Sequence, residues 1–563
     1  MKARNDTTIN RLPAFWLSGS FVFCGIWLLV WLLYLPATDA GFVGDFYKDW
    51  LRIIREESFW HHINRPGSFT VYQFTQLLTY GFYRLFGDYP PAWHILHVTM
   101  HAFCAVALYT FFRQLLRDSR LKSPEATSLI VTVLFAVSAY NSEVIVHEPC
   151  LHYTFGFLLL LLPLIWMQHY FNSQKPRYLW WAVLIFIPAS YAIEVFYLTP
   201  WLILSLCIFY VYVLQRDKKV LKKSFLFLVL PSLLIFFAHI LVLRAFTGTA
   251  ASHQVSTSLL TLLEGYWNKV LKYVFHILFM GRFFSHDVRK LVYNYCQSGP
   301  VIILSHVLLI GAFAYYFAVA SRTGKRYPLI LLFSLWAMAF IALVSPREFP
   351  QVQLVSLDRY IYFMLPFMLM IVALCFSARC RSLGIFLFLA YFTVNIYLLL
   401  KVNRYWRDSN RVVESLYRSF PSPDGRITLL LNNPVNMQGV HMIGANFPSA
   451  FALAYELNSG RKIGVPVYDV AAYNMITPDD GAHVNVINDS TIKVTLNQWG
   501  TWWWYRFQGA VSYDNEDFKL DMRDVGHWYE LTLHKPADQY LLLYSVGGTW
   551  KTVDMNKKDV DQN

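Results

Sequence analysis

The chain has 563 residues, 56% of them hydrophobic and only 15% charged, whereas a soluble domain carries about 25% charged residues. That balance excludes an ordinary cytosolic enzyme. The formal net charge of +13 comes from Lys and Arg gathered in short loops between apolar runs, where membrane topology accounts for them, and no nucleic-acid partner is expected.

Lys2, Arg4 and Arg11 open the chain, followed by an apolar run from Pro13 to Pro36. The run is too long for the core of a signal peptide and has no small-x-small cleavage site, so it reads as an uncleaved first span. Basic loops recur at 113–122, 175–177, 216–223, 322–326 and 379–381. Placing these loops and the N-terminus on the cytoplasmic side sets the spans near 14–36, 91–112, 127–143, 151–170, 178–195, 197–214, 224–246, 300–321, 328–345, 360–378 and 383–401. About eleven helices of the required length result, with the tail outside the cytoplasm. Residues 259–280 are apolar but carry Glu264, Lys269 and Lys272. Were they to cross, the loop around Arg322 would be forced outside, so they are expected to lie along the outer face. The seven cysteines form no CxxC pair and indicate neither a zinc site nor a disulfide framework.

The expected organisation is a polytopic α-helical module over 1–401, with a long first outer loop at 37–90, and an extracytoplasmic domain over 402–563. In the loop, Val71, Phe74, Leu77, Leu78, Phe82 and Leu85 recur at helical spacing opposite Gln73, Gln76 and Arg84, the pattern of a helix lying at the membrane interface. The tail predicts a helix over 401–420, a break at 421–425, a strand at 427–431 and a helical turn near 449–457. Later runs rich in β-formers, 491–496, 501–508, 528–533 and 540–546, predict a mixed α/β domain that is mostly β.

Three groups of residues are placed to do chemistry. The first is Gly41-Phe-Val-Gly-Asp45-Phe-Tyr-Lys48-Asp49, directly after the first span. A carboxylate partly shielded at a membrane surface can act as a general base, although Asp39, Asp45 and Asp49 read equally well as solvated loop acids or helix caps. The second is Asn141-Ser-Glu143-Val-Ile-Val-His147-Glu148, with His152 beyond it. These residues can bind a divalent cation, but their spacing matches no strong metal motif and fits a hydrogen-bonding role better. Glu194, at the outer end of a span, is costly in hydrocarbon and is a functional candidate by default, unless it merely marks the water boundary. The third is Ser356-Leu-Asp358-Arg359-Tyr360-Ile-Tyr362. An arginine fork suits phosphate oxygens, and Asp358 can fix its direction. Snorkelling accounts for Arg359, Arg65 and Arg244 as well when each is taken alone. Trp502, Trp503 and Trp504 suit either a sugar-stacking platform or alternate burial in a sheet.

Taken in order, these signals resemble the GT-C class of membrane glycosyltransferases, in particular the protein O-mannosyltransferases and their relatives bearing tetratricopeptide repeats. The likeness is carried by Phe42-Val-Gly-Asp45-Phe and Asn64-Arg65-Pro66 in the first loop and by His94, His97 and His101 in the second span. It continues through Ser142-Glu143-Val144-Ile145, Ile193-Glu194, Asp358-Arg359-Tyr360-Ile361-Tyr362 and Tyr405-Trp406-Arg407-Asp408. It covers about residues 1 to 410 and departs at Phe46, where the relatives have a second acid, and in the tail, where the repeats are missing.

The resemblance implies inverting transfer of a monosaccharide from a polyprenyl-phosphate donor to a hydroxyl of a protein, glycan or lipid acceptor on the outer side of the membrane. Asp45 would be the base, and Arg359, with Arg65 and Arg244, would hold the donor phosphate. Glu143, His147, Glu194, Asp358 and Tyr360 would support them. No nucleotide is involved, no cofactor is certain, and a divalent metal is compatible. A transporter or flippase of a lipid-linked sugar or other amphiphile, or a glycan polymerase or ligase on the same fold, are the alternatives. With no retention tetrapeptide or eukaryotic processing signal in the sequence, the expected location is a bacterial inner membrane with the tail in the periplasm.

Overall fold

The computed structural model describes residues 19–42, 58–60, 72–247, 259–296, parts of 298–311, 325–344, 358–376, 381–421, 424–443, 450–497, 501–504, 512–523 and 527–556. Seven segments among them are long and apolar enough to cross a bilayer: Ser20–Ala37, Pro90–Asp118, Glu148–Ser173, Glu194–Val213, Lys218–Val242, Arg326–Leu343 and Ser382–Ser419. Several helices of the bundle begin with proline in their first turn, at Pro90, Pro124, Pro176 and Pro200, where a missing N–H costs nothing and the fixed φ favours the helix.

The other four spans expected from the sequence take different forms. The third is a helix pair, Pro124–Ala136 and Ala139–Val146, bent by 51°. The fifth is Pro176–Ser190, 15 residues long, or about 22 Å against a hydrocarbon core of about 30 Å. The tenth is the 12-residue helix Leu365–Phe376, entered through a 3-10 turn at Asp358–Ile361. The segment near 300–321 lies largely outside the described residues. Leu259–Phe279 forms a continuous helix of 21 residues in which Lys269 is buried.

The bend at Val137 and Ser138 has neither glycine nor proline, so its freed backbone groups need partners from elsewhere. The carbonyl of Ala136 meets His101 Nε2 at 3.2 Å, that of Phe135 accepts from Asn141 Nδ2 at 2.6 Å, and the Ala139 N–H donates to Asn395 Oδ1 at 3.4 Å. The histidines of the second span share this task. His97 Nδ1 meets the Val144 carbonyl at 3.1 Å and His94 Nε2 that of Ala40 at 3.0 Å.

The last helix, Arg381–Ser419, runs unbroken for 39 residues, about 58 Å, and carries the chain out of the bundle into the C-terminal region. That region is mixed, with strands β1 (Ile427–Leu430), β2 (Asn433–Met437), β3 (Val440–His441), β4 (Val467–Asp469), β5 (Ala471–Met475), β6 (His483–Asn488), β7 (Thr491–Thr495), β8 (Thr501–Trp504), β9 (Tyr513–Asp514), β10 (Phe518–Arg523), β11 (Trp528–Leu533), β12 (Tyr540–Val546) and β13 (Thr549–Thr552), and a helix at Ala450–Ser459. Among the described residues three sheets form, in the orders β13-β12-β1-β4, β6-β7-β11-β10-β9 and β3-β2-β5-β8. β1 pairs in parallel with both β12 and β4, whereas the five-stranded sheet is wholly antiparallel. Alternation in β7 and β11 buries Ile492, Val494, Tyr529 and Leu531, which join Leu429, Leu543 and Phe451 in one core.

Candidate functional site

The C-terminal region meets the helix bundle through the hairpin of β2 and β3. Its two-residue turn places both Gln438 (φ 52°) and Gly439 (φ 83°) in the left-handed region, the conformation of a type I′ turn, for which glycine is suited. The register pairs Asn436 with His441 and Met437 with Val440. This hairpin reaches charged residues of the bundle.

Glu143 lies on the second limb of the bent helix and is clamped from both sides. Its neighbour Ser142 donates to Asn403 Oδ1 at 2.9 Å and accepts from Trp406 Nε1 at 2.9 Å; both partners stand on the long last helix. Val144, on the other side, is held through its carbonyl by His97. The Glu143 carboxylate therefore has a fixed place. It accepts the Arg359 backbone N–H on Oε2 at 3.0 Å, forms an ion pair through Oε1 with the Arg359 guanidinium at 3.2 Å, and faces His441 Nε2 from the hairpin at 3.1 Å. Its side chain is 4% exposed and that of Arg359 is 19% exposed, so the carboxylate is shielded while its partner retains access to the surroundings. The Arg359 guanidinium also lies over the Tyr360 ring, 5.5 Å from its centre.

A second buried pair adjoins the first. The Asp358 carboxylate accepts from Arg282, which also donates to the Gln438 carbonyl at the hairpin tip at 3.1 Å. Both members of this pair are almost wholly buried, and unpaired charges would be costly there. Burial pushes the Asp358 carboxyl up to about 6, while Arg282 pulls it the other way. His147 is buried next to this cluster, with its ring stacked on that of His441 at 4.9 Å between centres.

Of the residues singled out in the sequence, Glu143, His147, Asp358, Arg359 and Tyr360 come together. Glu194 stands in a separate group, where it accepts from the Tyr72 hydroxyl, and the Tyr72 ring meets His152 edge-on at 5.3 Å. His152 Nδ1 meets the Pro149 carbonyl at 2.6 Å. Arg244 is exposed on the last turn of Leu230–Thr247. Asp45 and Arg65 lie outside the described residues. Sequence reasoning missed His441 and Arg282. For His441 the available signal was a Gln-Gly turn between two short apolar runs; for Arg282 it was a basic residue closing an amphipathic helix. Compared with known proteins, the chain matches no family model and no curated relative.

Proposed function

We propose that the protein is an inverting glycosyltransferase of the GT-C type, which moves a monosaccharide from a polyprenyl-phosphate carrier to an acceptor hydroxyl on the outer side of a bacterial inner membrane. The observation that carries this reading is the meeting of Glu143 and Arg359, 216 residues apart in sequence, beneath the C-terminal hairpin. A carboxylate that grips both the backbone N–H and the guanidinium of Arg359 orients the fork in advance, and one-fifth of that side chain is open to a ligand. Preorganised cationic donors are what a departing phosphate requires, because the charge it develops is stabilised without reorganisation at the moment of bond cleavage.

In this reading the acceptor oxygen attacks the anomeric carbon as Asp45 takes its proton, and the carrier phosphate leaves from the opposite face towards Arg359. Single displacement of this kind inverts the anomeric centre, as in inverting hydrolases. Arg65 and Arg244 would assist at the phosphate, and Glu143 acts on the donor only through Arg359. The role of Asp45 rests on its motif in the sequence.

Binding of a polyprenyl monophosphate to the detergent-purified protein tests the phosphate role. Arg359→Gln is expected to weaken it by about 1.5–3 kcal/mol, the worth of a charge-assisted hydrogen bond, which is about 10- to 150-fold. Unchanged affinity in a folded Arg359→Gln protein would remove this arginine from the donor site.

A further inference from the structure

We infer that Glu143, His147 and His441 form a binding site for a divalent transition metal of the zinc class, closed between the helix bundle and the C-terminal hairpin. One ligand atom from each of the three residues lies within 4.8 Å of the other two. His441 Nε2 and Glu143 Oε1 stand 3.1 Å apart, close to the edge of about 3.3 Å of a tetrahedron with metal–ligand bonds of about 2.0–2.1 Å.

A second observation is independent of that spacing. His147 is 1% exposed, and its Nε2 is buried with no hydrogen-bond partner among the described residues, whereas buried polar groups ordinarily have one. A metal ion would satisfy it. Two imidazole nitrogens and a carboxylate oxygen suit zinc and its neighbours in the first transition row, whereas calcium and magnesium prefer all-oxygen sites. His441 lies on β3 beside the hairpin turn, with 27% of its side chain exposed.

The surroundings resemble an outer coordination shell. Glu143 Oε2 is held by the Arg359 backbone N–H, and such partners orient ligating carboxylates. Oε1 is shared with the Arg359 guanidinium, so a bound dication would stand beside a permanent positive charge. Only one ligand of the three is anionic, and the fourth position of the metal would therefore favour an anion, such as a phosphate or carboxylate oxygen. Residues from two distant parts of the chain supply the ligands, so the metal would also fasten the C-terminal region to the bundle.

The test uses the full-length protein in detergent, purified without a polyhistidine tag, stripped with chelator and titrated with Zn²⁺ and Co²⁺. Expected are about one equivalent of tightly held zinc and the visible absorption of cobalt in a tetrahedral site. His441→Ala, at a partly exposed position, should fold normally yet bind at least about 100-fold more weakly, since even outer-shell losses reach 10- to 100-fold. His147→Gln should also abolish the cobalt spectrum. Absence of stoichiometric metal in the wild type, or equal affinity and an unchanged cobalt spectrum in folded His441→Ala, would overturn the assignment. Neither readout involves sugar transfer, so failure of the metal site and failure of the glycosyltransferase reading are distinguishable.

Discussion

Glutamine at position 143 keeps the shape of the side chain but removes its charge, leaving the Arg359 guanidinium in a shielded site without its anion. Breaking a buried pair from one side costs about 3–5 kcal/mol. Because Arg359 is 19% exposed, water recovers part of that, and Glu143→Gln is expected to destabilise the protein by about 3 kcal/mol. Arg359→Met removes the other half and strands a carboxylate that is 4% exposed, at a similar cost. With both changes no charge is left unpaired, and the double variant should lose at least about 2 kcal/mol less than the two single losses added together. Chemical denaturation in micelles, followed by the fluorescence of the 19 tryptophans, measures all four corners of the cycle. Additive losses within about 0.5 kcal/mol would show that the two groups are not energetically coupled, and the orienting role assigned to Glu143 would fall with them.

Three further outcomes are expected. A methyl group on Gly156 would stand 2.2 Å from Ile193 Cγ2, so Gly156→Ala should destabilise by about 1–3 kcal/mol through overpacking, read as a lower denaturation midpoint. Asn432 trades paired hydrogen bonds with Ser545, its Nδ2 donating to the carbonyl at 2.9 Å and its Oδ1 accepting the N–H at 2.7 Å. Asn432→Ala should therefore cost about 1–3 kcal/mol and expose the amide of Ser545 to faster hydrogen exchange. Asp358 has a folded-state value of about 6, above the unfolded value of about 3.9. The native state therefore holds the extra proton between about pH 4 and pH 6, and stability falls as pH rises through that window. In a denaturation series across it, the slope of stability against pH should be more negative in the wild type than in Asp358→Asn.

Seven of the eleven expected spans were legible as helices long and apolar enough to cross a bilayer, because a bilayer imposes a length and an apolarity that unbroken sequence runs display directly. The β-rich tail was legible for a similar reason: alternation in Thr491–Thr495 and Trp528–Leu533 follows from a sheet with one buried face. The bend after Ala136 was not, since no local residue demands it; His101 and Asn395, 35 and 256 residues from the groups they meet, make it tolerable. The histidines of the second span, which belong to the family likeness in sequence, each meet a backbone carbonyl. Glu143 and Arg359 were both named from their own motifs, but their pairing depends on how the 3-10 turn at Asp358–Ile361 packs against the bent helix. His441 belongs to a different part of the chain, and only tertiary structure brings it to Glu143.

Sugar transfer itself is the most direct test of the proposed function. Right-side-out membranes containing the wild-type protein or Asp45→Asn are supplied with a panel of radiolabelled polyprenyl-phosphate monosaccharides, and label is followed from the lipid fraction into the acceptor fraction. The account predicts transfer from one donor by the wild type and a loss of about 10²- to 10⁴-fold in Asp45→Asn, the usual contribution of a general base, with equal amounts of inserted protein. No transfer from any donor, or equal transfer by Asp45→Asn, would contradict it.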